Sequence, residues 1–308
     1  MQLIRGVQGI TAADQHAIVT IGNFDGIHRG HQALLKHVKY LSFGHKKKAL
    51  VIVFEPQPQE FFLRRKYFTR LSTLRDKAID FMDYEIDRLL ILPFNDQLAK
   101  LSAEDFVQNI LVKYLKVDHL VVGDDFHFGA DRKGNIDYLK QMAKQYNFSL
   151  EVPESVSWRK QRVSSTLIRE SLQANKLNVA EELLGHPYRV CGRVVKGDGR
   201  GRKIGCPTAN VHIPPGGLSV RGVYAVKVEG VTPKAIFGVA NIGTRPTIGG
   251  HRIQFEVHLF DFKQDIYDCR MRVNFFKKLR DEVEFSSVRA LKKQIEQDIQ
   301  MAKDFFLE

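Results

Sequence analysis

Cysteine is scarce in this chain, and long apolar runs are missing. The three cysteines, Cys191, Cys206 and Cys269, lie far apart and share no metal-ligand spacing. Disulfides are therefore not expected, and a reducing cytoplasm is the expected location. No stretch nears the ~18 apolar residues that a membrane span needs. The opening residues, Met1-Gln-Leu-Ile-Arg5, lack the basic head and apolar stretch of a secretory signal. No membrane partner is expected. Internal repeats and a low-complexity linker are also absent. Basic residues run together only at Lys46-Lys47-Lys48 and Arg64-Arg65-Lys66, with no aromatic stripe beside them. Such short runs are ordinarily solvated loop, so nucleic acid is not an expected partner.

What remains is a soluble globular composition, 44% hydrophobic and 27% charged over 308 residues. That length suggests two domains at a prior of ~150 residues each. The formal net charge is +12. It is unevenly spread: 26 basic and 22 acidic residues up to Gly185, against 21 and 13 beyond it. A positive field draws polyanions, and with dispersed basic residues small phosphorylated substrates fit better than nucleic acid. Composition changes at the same place, because 13 of the 23 glycines and 6 of the 10 prolines fall after residue 185. Two domains, 1–185 and 186–308, are expected.

The first part alternates β-branched runs (17–21, 49–54, 89–92, 120–122) with helix-period segments (32–40, 73–82, 103–115, 136–146). Near-continuous apolar strands between helices imply a doubly wound parallel sheet, buried on both faces, with ligands beyond the carboxyl ends of its strands. Ser102-Ala-Glu-Asp105 resembles a capping box at the third helix. The second part places strands at 188–195, 223–228, 235–240, 253–259 and 271–276, then a helix over 288–306. Regular strands with turn signals suggest a small β-barrel closed by a C-terminal helix.

After the first strand comes Ile21-Gly-Asn-Phe-Asp-Gly-Ile-His-Arg-Gly-His31, leading into a helix. Gly22, Gly26 and Gly30 allow close backbone approach, and the helix start offers N–H groups to phosphate. His28 and His31, three apart at the helix entry, can face one anion. Beside a triphosphate both are expected to be cationic and to stabilise charge on an α-phosphate and on departing pyrophosphate.

This string resembles the HxGH signature of nucleotidylyltransferases. Its flanks narrow the resemblance to the adenylyltransferase half of bacterial bifunctional riboflavin kinase/FAD synthetases. Phe54-Glu-Pro-Gln-Pro58, Val122-Gly-Asp-Asp-Phe-His-Phe-Gly129 and Ser164-Ser-Thr-Leu-Ile-Arg169 match that family too. The resemblance implies a nucleotidylyltransferase-like sheet in which Gly22, Phe24, Asp25, Gly26, Ser164, Ser165 and Thr166 bind ATP. His28, His31 and Arg169 would be catalytic, and FMN would lie near Phe54, Pro56, Pro58, Asp125 and Phe128. FMN would attack the α-phosphate and release pyrophosphate. Departures from the family pattern are Asp125 for a common asparagine, His127 for arginine and Gln57 for histidine.

In the second part, residues 192–210 form a glycine-rich basic stretch ending Gly205-Cys-Pro-Thr-Ala-Asn210. Gly197, Gly199, Gly201 and Gly205 with Lys196, Arg200, Arg202 and Lys203 suit a phosphate cradle, although no Walker A sequence is present. Thr208 and Asn210 are oxygen donors at alternate positions, as magnesium favours. The stretch resembles riboflavin kinases, whose G-x-PTAN motif matches at Gly205, Pro207, Thr208, Ala209 and Asn210, with Cys206 for the usual phenylalanine. Further matches are Gly222-Val-Tyr224, residues 238–247 and Glu256-Val-His-Leu259. The resemblance implies ATP held by Lys196, Gly197, Gly205, Pro207, Thr208 and Asn210. It makes Thr208 and Asn210 the Mg2+ ligands, Glu256 the general base for the ribityl hydroxyl, and Arg280 and Glu282 flavin contacts. Alternation puts Glu256 on the polar face, opposite Phe255, Val257 and Leu259.

The resemblance spans nearly the whole chain. It implies an enzyme that converts riboflavin to FMN and FMN to FAD, with ATP as the second substrate of each step. Three rivals differ. One is adenylylation of another phosphate ester, which the kinase-like second part disfavours. A synthetase-like RNA binder lacks its KMSKS-like loop. A flavin-binding module without turnover would not keep His28, His31, Thr208, Asn210 and Glu256 intact.

Overall fold

The computed structural model describes residues 1–307 except 64–67, 198, 200, 202–203, 214–216 and 248–249; residues 245–247 and 250–252 are described by backbone alone. Arg64–Lys66 and the loop cations Arg200, Arg202 and Lys203 thus lie outside the described residues. The chain forms two compact units, residues 1–68 with 73–164 and residues 69–72 with 165–308.

The first unit is built on a parallel sheet of six strands: β1 (Gln2–Arg5), β2 (Ile18–Ile21), β3 (Ala49–Glu55), β4 (Arg88–Pro93), β5 (His119–Val121) and β6 (Ser149–Glu151). Their order is β1-β4-β3-β2-β5-β6. Four of the six were expected. β1 and β6 lie at the two edges and are short, with mixed polarity and several exposed residues, so they carry little apolar signal. The sheet is buried on both sides, as the continuous apolar strands require. Leu50 and Ile52 pack beside Phe106, Leu111 and Leu139. Ala49, Val51 and Val53, on the opposite face of the pleat, pack beside Leu35, Val38 and Phe81. The second set comes from helices α1 (Arg29–His45) and α3 (Leu74–Asp83), separated in sequence by the short α2 (Pro58–Phe62).

After the one-turn α4 (Asp96–Ala99), α5 (Ala103–Asp105) begins with Ser102 Oγ accepting from the Asp105 amide at 3.0 Å. Beyond Asp105 it widens into a π-helical segment, Phe106–Tyr114, rather than the regular helix its periodicity suggests. Helix α6 (Ile136–Tyr146), capped by Asn135, precedes β6. A small hairpin, β7 (Ser157–Trp158) and β8 (Gln161–Arg162), closes the unit. Strand order leaves β2 in opposite directions, toward β3 and toward β5. The switch point therefore lies at the carboxyl ends of β2 and β5, where such sheets bind ligands.

The second unit opens with α7 (Ser165–Gln173) and α8 (Leu177–Leu184), then closes a barrel of six strands in the order β10-β13-β12-β11-β14-β9. These are β9 (Arg189–Val195), β10 (Ala209–Val211), β11 (Gly222–Glu229), β12 (Ile236–Thr247), β13 (Gly250–Leu259) and β14 (Arg270–Arg280). Five were expected. The sixth, β10, is three residues long and lies inside the glycine-rich motif, where turn residues hide it. Helix α9 (Val288–Leu307) follows the barrel. Inside the barrel, Phe275 stacks near Phe255 at 5.9 Å and meets Tyr224 edge-on at 5.4 Å. Outside, Val223, Ala225 and Val239 pack on Ala302, Ile299 and Phe306 of α9.

The packing division falls at Ser164–Ser165, ahead of the composition change near 185. Asn175, between α7 and α8, accepts hydrogen bonds from Tyr224 Oη (3.3 Å) and Lys278 Nζ (2.9 Å) of the barrel. These polar ties leave no trace in hydropathy, which reads the segment as more helix of the first part.

Candidate functional site

In the first unit the backbone itself places the two imidazoles. The chain leaves β2 through a tight turn in which Phe24 (φ 48), Gly26 (φ 83) and Ile27 (φ 37) adopt left-handed conformations. His28 is the N-cap of α1, and its Nδ1 accepts from the His31 amide at 3.3 Å. Capping through Nδ1 leaves the ring proton on Nε2, available as a donor. The His28 and His31 rings stack at 3.7 Å with an interplanar angle of 16°. Gly30 permits this, since a Cβ there would sit 3.2 Å from two atoms of the His28 ring.

Burial and nearby cations set the charge of this pair. His28 has its pKa lowered to about 4, chiefly by desolvation and then by Arg162, against the opposing pull of Asp25 and Asp125. His31 is held well below the usual imidazole range by burial, His28, Lys77 and Arg162. Burial and these cations thus favour the neutral rings without nucleotide, and the cationic pair is expected only beside a triphosphate. Nucleotide phosphate would raise both pKa values. Among the described residues His31 Nδ1 has no hydrogen-bond partner.

Arg162 is the cation sequence reasoning missed. Its Nη2 lies 2.5 Å from Asp125 Oδ1 and 3.3 Å from Asp124 Oδ1, and its Nε donates to Ser155 Oγ at 3.0 Å. The loop after β5 thus comes to the imidazoles through Arg162. Asp125, which stands where an asparagine is common, is used as an ion-pair acceptor, and Arg162 keeps its carboxyl below the usual range against the upward push of burial. No local motif marks Arg162, because its role depends on a hairpin returning to the ends of β2 and β5.

The other expected residues of this unit divide by burial. Phe54 joins an aromatic group with Phe94 (5.9 Å), to which Phe61 and Phe62 also belong. Pro56 and Pro58 flank Gln57, which is buried and whose Nε2 has no partner among the described residues. Phe128 is a core residue, packed on Phe106 at 5.4 Å and Phe126 at 5.5 Å. Gly22 lies against the Phe24 ring, and Asp25 is buried beside the turn. Ser164 ends the first unit. Ser165, Thr166 and Arg169 lie in the first turns of α7 in the second, where Arg169 Nε donates to the Thr69 carbonyl at 2.8 Å.

In the barrel, register assembles a second group. Asn210 pairs with Glu256 across β10 and β13, and Glu256 pairs with Asn241 across β13 and β12. Directly opposed residues share a face, so Asn210, Glu256 and Asn241 form one row. The row continues to Val223, on the outer face that α9 covers. Val257, opposite Ala209, belongs to the inner set, as alternation expects. His258 donates through Nδ1 to the Pro207 carbonyl at 2.8 Å, tying the proline-threonine segment to β13.

The glycine-rich stretch closes on these donors. A Cβ on Gly197 would collide with the Asn210 amide, 2.7 Å from its Oδ1, and one on Gly201 would sit 3.2 Å from Thr208 Oγ1. Backbone without side chains is what lets the loop lie this close to both oxygens. Thr208 and Asn210 are neutral hard-oxygen donors beside a carboxylate, a set that fits a magnesium ion shared with substrate phosphates. No cluster of three or more His, Cys, Asp or Glu suited to a metal occurs among the described residues. Lys196, Gly205 and Pro207 are exposed on the same stretch, and Cys206 is buried under it.

The expected flavin contacts at the end of β14 are already engaged. Arg280 makes a forked pair with the buried Asp298 of α9, Nε to Oδ1 at 2.9 Å and Nη2 to Oδ2 at 2.8 Å. Glu282 Oε2 accepts from the Thr244 amide at 3.2 Å and packs against Gly243. Both residues therefore fasten the outer face of the barrel.

Comparison with known proteins agrees with this division. A family model for FAD synthetase matches residues 10–167, and one for riboflavin kinase matches residues 184–306. The bifunctional riboflavin kinase/FMN adenylyltransferase of Escherichia coli K12 is 44% identical over 99% of this chain and 98% of its own. The Haemophilus influenzae protein of the same name is 43% identical over 99% of each. A crystal structure described as a macrolide-efflux protein from Streptococcus pneumoniae superposes with a TM-score of 0.82 at 30% identity, covering 97% of both chains. No helix among the described residues is long and apolar enough to cross a membrane. With full-length identity at this level and both family models matched in order, the chain belongs to the bifunctional riboflavin kinase/FMN adenylyltransferase family.

Proposed function

We propose that the chain makes FAD in two ATP-dependent steps, with residues 186–308 phosphorylating riboflavin and residues 1–185 adenylylating the FMN so formed. It is a transferase with both activities. One observation carries the assignment: the stacked imidazoles near Arg162 in the first unit, and Asn210 beside Glu256 in the second, each form a group suited to phosphate chemistry.

In adenylyl transfer, an FMN phosphate oxygen attacks the α-phosphorus of ATP. The bond to the β-phosphate oxygen breaks, and pyrophosphate leaves with its electron pair. No covalent enzyme intermediate is needed. His28 and His31 arrive neutral and donate N–H to the phosphates. Arg162 supplies fixed positive charge nearby, and Asp125 orients it. As negative charge gathers on the leaving pyrophosphate, a protonated imidazole becomes more favourable, so the pair stabilises the transition state more than the ground state. Phe54 and its aromatic neighbours, packed edge to face, offer an apolar surface to the isoalloxazine ring, while Phe128 supports the Gly123–Gly129 loop from within the core.

In phosphorylation, Glu256 accepts the proton of the ribityl 5′-hydroxyl, whose oxygen attacks the γ-phosphorus and displaces ADP. Thr208 and Asn210 would hold Mg2+, which neutralises charge on the ATP phosphates when bound. Asn241 flanks Glu256 on the other side and orients its carboxylate. The three cysteines are free, which suits a reducing cytoplasm.

The test is to incubate purified protein with riboflavin, ATP and Mg2+ and separate the flavins over time. FMN should rise first and FAD follow. FMN without FAD would remove the first-unit assignment, and FAD formed only from supplied FMN would remove the second.

A further inference from the structure

Helix α3 turns one face to the loop that carries the imidazoles, and that face bears two side chains of opposite chemistry. Lys77 and Phe81, one turn apart, are 1% and 0% exposed. Phe81 meets the Phe24 ring edge-on at 5.3 Å, and Phe24 lies 5.0 Å from the His31 ring. Lys77 Nζ donates to the Asn23 carbonyl at 2.6 Å. Apolar packing alone would bury this face more cheaply, since an interior ammonium is costly even when hydrogen-bonded. Asn23 opens the turn whose next residue, Phe24, takes a left-handed φ of 48°. Such a conformation persists only where its surroundings over-determine it, and Lys77 with Phe81 supplies that constraint from beneath.

We infer that Lys77 is a positioning residue for adenylyl transfer, holding the Asn23 carbonyl so that the turn presents both imidazoles to the triphosphate. This rests on the assignment of His28 and His31 to that reaction. Charge adds a second effect. His31 is faced by His28 at the helix entry, by Lys77 from α3 and by Arg162 from β8, and all three disfavour its protonation. Lys77 therefore helps keep His31 a neutral donor until phosphate arrives, and removing the ammonium lets the ring protonate at higher pH.

The experiment compares full-length Lys77→Met, Lys77→Gln and Lys77→Arg in both reactions, with His28→Ala alongside, and follows His31 by NMR titration. Lys77→Met should lose about a hundredfold in kcat for adenylyl transfer, the cost of ~1 Å of misplacement, while riboflavin phosphorylation in the other unit holds and an unchanged calorimetric transition of the first unit reports its fold. Lys77→Arg, which keeps charge and donors, should recover part of the loss. The His31 titration should move up in Lys77→Met and Lys77→Gln and stay low in Lys77→Arg, a change that loss of packing alone would not cause. Should Lys77→Met fail to fold, Lys77→Gln decides, because it keeps a donor without the charge. Parental adenylyl transfer in the neutral variants, or a His31 titration that stays put, would overturn the inference. Undiminished adenylyl transfer in His28→Ala would instead overturn the assignment it rests on.

Discussion

Replacing Gly197 by alanine puts a methyl group onto Asn210. The new carbon would lie 2.7 Å from Asn210 Oδ1, with Nδ2 and Cγ closer still. Ordinary contact begins near ~3.5 Å, so the amide or the loop must move by roughly 1 Å. Asn210 cannot move freely, because its backbone is paired to Val195 on one side and Glu256 on the other. A displacement of that size in a group that positions substrate costs about a hundredfold in rate, or ~2.7 kcal/mol of barrier. The assay is initial-rate phosphorylation of riboflavin, with adenylylation of supplied FMN as the internal control. The phosphorylation kcat should fall and the control should hold. A double-mutant cycle sharpens the point. Asn210→Ala already removes the side chain that the methyl strikes, so adding Gly197→Ala to it should cost little more. Strictly additive losses, or a Gly197→Ala enzyme with parental phosphorylation, would refute the idea that bare backbone is needed over this amide.

Four further outcomes are expected. His28→Ala should lower adenylyl transfer by ~10²–10³-fold, as loss of a transition-state donor does, with phosphorylation retained; Glu256→Gln should do the reverse when FMN is supplied. Equal loss of both activities in either variant would contradict the division of labour. Stability of the first unit should fall as pH drops. His28 titrates at about 4 when folded and near 6.5 when unfolded, so between those values the unfolded chain binds more protons and stability declines, by up to ~3 kcal/mol once both are passed. Chemical denaturation of the parent and of His28→Gln across that range would show whether this slope vanishes with the ring. Asp298→Ala strands the Arg280 guanidinium and should destabilise the barrel unit by about 3 kcal/mol; calorimetry showing an unchanged barrel transition would deny the clamp its role.

Much of the architecture was legible because burial writes itself into residue pattern. β2, β3 and β4 are runs of Val, Ile and Leu, since both faces of the sheet are covered. The edge strands β1 and β6 lack that pattern, as they need not be apolar on both faces. β10 escaped notice for another reason: three residues set between turn-formers have no periodicity to read. The Gly22–His31 turn was readable because its chemistry is local, a cap and a helix start within a few residues. Arg162 and Lys77 were not, since each is 46 or more positions from His31 and reaches it only through the fold. The neutral resting state of the imidazoles was likewise hidden, because charge on a histidine depends on how deeply it lies and what faces it.

The sequence by itself determined the two-part organisation, the parallel sheet, the family and the local motifs from which the candidate sites are built. Those follow from near-neighbour chemistry: periodicity, capping, and glycine where backbone must approach. Only the tertiary structure decided which groups tune them. It set Asn241 and Asn210 beside Glu256, turned Arg280 into a clamp for Asp298, and placed α7 and α8 with the barrel. Strand register, desolvation and long-range charge act between residues distant along the chain, and a linear pattern carries no record of such distances.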